Sequence, residues 1–79
     1  IIGVKNGDHT FLFNYIDSAE KDGLITKIEL FDISGKRVFE KGNLKNTTVV
    51  LDLSHLNSGI YIANVYASSG MISRPIVLE

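Results

Sequence analysis

Ile25-Thr26-Lys27-Ile28-Glu29-Leu30-Phe31-Asp32-Ile33-Ser34-Gly35-Lys36-Arg37-Val38-Phe39-Glu40 is the stretch from which the fold is read. In an extended chain Ile28 and Leu30 fall on one face and Lys27 and Glu29 on the other, the period-two alternation of a half-buried strand. Ser34-Gly35 interrupts residues 25–33, and residues 36–40 resume. This predicts a tight hairpin in which Gly35 takes positive φ and the Asp32 carboxylate caps the turn amides. No run in the chain has the spacing of a long amphipathic helix.

The same pattern repeats in both directions. Toward the C-terminus, residues 41–47 form a polar loop, and residues 48–53 a strand with Val49, Leu51 and Leu53 inward and Val50 and Asp52 outward. Residues 60–66 are apolar on both faces, as in a central strand. Ser68-Ser69-Gly70 is a turn, and residues 71–78 close the chain as a strand. Pro75 cannot donate to a ladder, which places this strand at an edge or a bulge. It is expected to pair weakly over part of its length, with Arg74 projecting to solvent. Toward the N-terminus, residues 1–5 are a short run ending at the turn signal Asn6-Gly7-Asp8. Residues 10–16 form a strand with Phe11, Phe13 and Tyr15 on one face and Leu12, Asn14 and Ile16 on the other, followed by a polar loop at 17–23. Six or seven short strands spaced by roughly 8 to 12 residues predict an all-β fold, a small antiparallel β-sandwich of immunoglobulin-like architecture.

Composition sets the scale. The 79 residues are 44% hydrophobic and 22% charged, without cysteine, and suit one domain over residues 1–79. A chain this short buries only about 60% of its unfolded surface, so a deep catalytic cleft is not expected. A net charge of -1 without a basic stripe argues against nucleic acid. No apolar run approaches the roughly 20 residues that span a bilayer, which argues against direct membrane insertion by a helix, and the opening residues do not read as a signal peptide. The first residue is Ile1 rather than Met, which reads as a piece of a larger precursor.

Candidate chemistry is sparse. His9 and His55 lie in separate turns without cysteine or a second histidine at ligand spacing. No Gly-x-Ser-x-Gly elbow is present. Asp17, Glu20 and Asp22 before Gly23 carry oxygens suited to Ca²⁺, but their spacing is not that of a calcium loop, and solvated charges are expected. No metal or other cofactor is expected. Asp17-Ser18-Ala19 is similar to the O-glycan acceptor of exported Bacteroidetes proteins. Asn46-Thr47-Thr48 matches the N-glycosylation sequon, which has meaning only in a eukaryotic secretory route. Phe11, Phe13 and Tyr15 would suit a sugar-stacking platform, yet a chain with so few large side chains needs them as core. In Leu56-Asn57-Ser58-Gly59-Ile60-Tyr61, Leu56 plugs the core edge, Gly59 permits the reversal, and Tyr61 begins a central strand with its hydroxyl bonded to upstream backbone, as in a tyrosine corner.

Residues 28–38, 51–62 and 73–77 carry a resemblance. The Asp32-x-x-Gly35-Lys36 hairpin, the Leu56-x-x-Gly59-x-Tyr61 corner and Arg74 ahead of the apolar pair Ile76-Val77 stand in the order found in the type A C-terminal sorting domain of the type IX secretion system. It resembles that family over residues 24–79. The chain departs from the family pattern in lacking a Pro-Asn-Pro opening and in having Arg74-Pro75 where paired basic residues are usual. The resemblance implies a non-enzymatic address at the end of a larger cargo protein from a Bacteroidetes cell. Such a cargo is in the periplasm in transit and then at the cell surface or outside the cell. The implied partners are the outer-membrane translocon, a shuttle protein and a sortase-like peptidase, with Arg74, Pro75, Ile76 and Val77 as the implied translocon contact. The competing expectation is an immunoglobulin-like spacer or carbohydrate-binding module of an extracellular enzyme or adhesin.

Overall fold

The structure, a computed structural model, describes residues 2–5, 7–14, 24–68 and 70–79. Among these residues there are seven strands: β1 (Ile2–Lys5), β2 (Thr10–Asn14), β3 (Ile25–Phe31), β4 (Arg37–Lys41), β5 (Thr48–Asp52), β6 (Gly59–Ala67) and β7 (Gly70–Leu78). They form two antiparallel sheets, ordered β1-β2-β5 and β4-β3-β6-β7. Tyr15, Ile16 and the expected loop at 17–23, including Asp17-Ser18-Ala19, Glu20 and Asp22, lie outside the described residues.

One apolar cluster takes side chains from both sheets: Phe11, Phe13, Val49 and Leu51 from the first, and Ile28, Leu30, Tyr61, Ala63, Val65, Ile76 and Leu78 from the second. Fully burying an aliphatic or aromatic side chain is worth about 1.5 to 3 kcal/mol, so the period-two pattern fixes which face of each strand turns inward. In β5 Val49 and Leu51 are buried while Thr48, Val50 and Asp52 are exposed, the alternation expected from sequence.

The β3–β4 hairpin closes as expected. The Asp32 amide donates to the Lys36 carbonyl at 2.9 Å and the Gly35 amide to the Asp32 carbonyl at 3.0 Å, with Gly35 at φ +90°. Two details differ. A register shift between Leu30 and Phe31 ends β3 at Phe31, so Ile33 belongs to the turn and not to the strand. The 41–47 loop is also less irregular than expected, because Asn46 bridges to Ile25 and the Leu44 amide donates to the Thr26 carbonyl at 3.0 Å.

β6 lies inside its sheet, flanked by β3 and β7, but it is not covered on both faces. Tyr61, Ala63 and Val65 enter the core, whereas Ile60 is 55% and Ile62 37% exposed. The expectation of two-sided burial fails because the three-stranded sheet contributes to one face, and the described residues place no second layer on the other. β7 is an edge strand, as Pro75 demands. The expected weak pairing is not found: β7 follows β6 without a register shift from Gly59↔Leu78 to Ala67↔Gly70. An edge strand uses only one side of its backbone for pairing and so accommodates a residue without an N–H.

Candidate functional site

The motif residues are built from local chemistry. Asp32 Oδ1 accepts the Ser34 hydroxyl at 2.6 Å and the amides of Ser34 and Lys36 at 2.9 and 3.0 Å. These donors, the Ser34 hydroxyl first, hold the Asp32 carboxyl below the usual carboxylate range. At the corner, the Leu56 side chain is half-buried against the core and its amide donates to the Leu53 carbonyl at 3.0 Å. Tyr61 is 8% exposed, and its hydroxyl donates to the Asn57 carbonyl at 2.7 Å. Gly59 sits at φ +155°, where L side chains are strained, while an added Cβ would meet Tyr61 Cε2 only at an ordinary 3.9 Å. Conformation, not crowding, therefore selects glycine there.

The register brings these distant segments together. Arg37 pairs with Phe31, Phe31 with Ile62, and Ile62 with Pro75. Hairpin, corner and tail thus end on one cross-strand row. The tail residues part company within it: Pro75 and Val77 lie on the outer face, Ile76 is buried at 6%, and Arg74 is exposed on the opposite side of β7. Lys36 stands exposed in the hairpin.

Two features of the outer face were not legible beforehand. Glu29, 6% exposed, lies beneath an ion cluster in which Arg37 Nη1 reaches Glu29 at 3.1 Å and Glu40 at 2.8 Å, and Lys27 Nζ reaches the same carboxylates at 3.6 and 3.7 Å. The Tyr66 hydroxyl and then the Arg37 guanidinium hold the Glu29 carboxyl below its ordinary value. On the same face, at the hairpin beyond Phe31 and Arg37, Ile33 (84% exposed) borders two shallow depressions, one lined by Phe31, Gly35 and Ile62 and the other by Ser58, Gly59 and Ile60. The sequence reads Ile33 as the end of the strand 25–33, so its exposure in the turn has no signal there.

The described part of the aromatic stripe, Phe11 and Phe13, is core. Phe11 and Phe13 are 6% and 1% exposed, which removes both from any sugar-stacking surface. The two histidines pack separately: His9 donates through Nδ1 to the Leu53 carbonyl at 3.2 Å, and the His55 ring lies 5.9 Å from that of Phe39.

A capped turn and a corner that ties Tyr61 to Asn57 thus stand beside the edge strand β7 in one sheet. The family comparison is specific: the chain belongs to the secretion system C-terminal sorting domain family, whose model matches residues 12–79. Membership makes it a C-terminal sorting signal of the type IX system, which engages that system's machinery and directs export across the cell envelope toward the surface or the extracellular space. The match begins upstream of the motif stretch and takes in most of β2. A search of curated proteins finds no match.

Proposed function

We propose that residues 1–79 form one immunoglobulin-like β-sandwich that serves, without catalysis of its own, as the export address of a larger cargo. The outer-membrane translocon of the type IX system recognises it as a folded domain and passes it to a shuttle protein and a sortase-like peptidase. The cargo is periplasmic in transit and then held at the cell surface or released. The cross-strand row Arg37, Phe31, Ile62 and Pro75, which sets the hairpin, the strand after the corner and the tail side by side, supports this reading, because segments scattered through the sequence then share one end of a sheet. The shared core of the two sheets supports the sandwich.

Recognition of this kind asks for a rigid shape and exposed backbone or apolar groups and needs no reactive side chain. The test is fusion of this chain, with its natural upstream linker, to a periplasmic fluorescent protein in a host that has the type IX system. Export of the reporter is expected. Retention in the periplasm, while an established sorting domain exports the same reporter, would sink the proposal.

A further inference from the structure

We infer that the apolar end of the outer sheet face, centred on Ile33, is the docking groove for an extended apolar segment of the export machinery; this rests on the sorting function proposed above. Three observations lead there. Ile33 is 84% exposed at the tip of a hairpin whose other turn groups are satisfied by capping, so folding gains little from an isoleucine at this position. Ile60, Ile62 and Val77 are 55%, 37% and 47% exposed on the same face, and the pairs Ile60↔Val77 and Ile62↔Pro75 make them one patch. Single exposed apolar residues are ordinary, whereas a contiguous patch marks an interaction surface.

Charge distribution selects the kind of partner. The charged side chains of this face at Lys27, Glu29, Arg37 and Glu40 are spent on one another, and Arg37, although it stands opposite Phe31 beside the patch, turns its guanidinium to Glu29 and Glu40. Apolar atoms dominate the two depressions beside Ile33, and Asp32, which borders both, spends Oδ1 on its own turn. An apolar segment is the complement of such a surface, and a charged one is not. Asp32 and Ile33 border both depressions, so an extended segment, whose residues i and i+2 share one face, can offer an apolar side chain to each. The neighbouring edge strand β7 offers backbone groups for such a strand to run beside.

The experiment uses the full chain fused to the periplasmic reporter and compares the parent with Ile33→Ser, with Ile33→Ser/Ile60→Ser, and with Val50→Ser, a 47% exposed apolar position on the other sheet. Thermal melting of each purified chain is measured alongside. The double variant is expected to lose export about tenfold or more while its melting temperature stays within about 3 °C of the parent; Val50→Ser is expected to export normally. Unchanged export in the double variant, or export that falls only in step with lost folding, overturns the groove. Since Ile33 is nearly free of the core, the single variant keeps the test valid even where Ile60→Ser disturbs β6. Two further measurements judge the occupant. Sedimentation showing that the parent self-associates through Ile33 assigns the groove to a second copy. Flotation on phosphatidylethanolamine/phosphatidylglycerol vesicles that depends on Ile33 assigns it to lipid. Either result overturns the inference. A parent fusion that is itself not exported sinks the sorting function instead, and is told apart by the parent alone.

Discussion

Tyr61 shows how one side chain serves two ends. Its ring fills the core while its hydroxyl ties the chain back to Asn57 at 2.7 Å. Tyr61→Phe should keep the ring and lose the bond, lowering stability by about 1 kcal/mol; Tyr61→Ala should lower it by about 3 to 5 kcal/mol. Gly59→Ala has space for the methyl group but not the conformation, and should cost about 1 to 3 kcal/mol. Urea denaturation midpoints check all three, and unchanged midpoints would remove the corner from the stability of the fold. Asp32 adds a pH dependence. Its native carboxyl is held below the usual range by Ser34 and Lys36, so its contribution is complete above the unfolded value near about pH 4 and is lost as pH falls through the lower native one. Asp32→Asn should therefore be less stable than the parent at pH 7 and show a shallower loss of melting temperature on acidification. Parallel curves would show that the turn hydrogen bonds do not favour the ionised form.

At the scale of elements, β2 and β7 carry more than their place at the ends of the chain suggests. Phe13, 1% exposed in β2, links the smaller sheet to the core, and Phe13→Ala should cost about 3 to 5 kcal/mol by calorimetry. A stable variant that had lost polysaccharide binding would restore the carbohydrate module, but the burial of Phe11 and Phe13 speaks against it. β7 holds Ile76 and Leu78 in the core at 6% and 1% exposure. Deleting residues from Arg74 onward therefore removes two core side chains together with half of the longest pairing, and the cooperative melt should be lost. Export by such a truncation cannot separate signal from fold. Arg74→Ala can, because Arg74 is exposed; it should leave the melt unchanged, so any loss of export measured with it belongs to recognition.

The whole molecule is held by contacts between its ends. The Leu53 amide donates to the His9 carbonyl at 2.7 Å, the Glu79 amide to that of Asp8 at 3.3 Å, and Lys5 reaches the Glu79 carboxylate at 2.9 Å. These join the β1–β2 turn to the end of β5 and to the last residue of the chain. A fragment of residues 24–79, which keeps every motif of the family resemblance, would lose Phe11, Phe13 and the strands β1 and β2, leaving β5 without its partner in the smaller sheet. It should not fold alone, as judged by amide dispersion in an NMR spectrum; a dispersed spectrum would show that the larger sheet suffices. For a domain of this size the margin is small, and loss of two buried aromatic residues exceeds it.

Local chemistry was enough to read the strands, the Asp32–Lys36 turn and the tyrosine corner, since each depends on residues within a few positions of one another. Alternation gave the inward faces of β2, β3 and β5, because burial on one face imposes a period of two. The same residues allowed the family to be recognised from their order. Pairing was beyond such reading: the register setting Phe31 beside Ile62 and Ile62 beside Pro75 joins residues 31 and 13 positions apart, and it depends on which strands become neighbours. For that reason the one-sided exposure of β6, the ion cluster over Glu29 and the apolar groove at Ile33 belong to the tertiary structure alone. An apolar residue looks the same in sequence whether the opposing sheet covers it or leaves it to a partner; only the packing of one sheet on the other decides between the two.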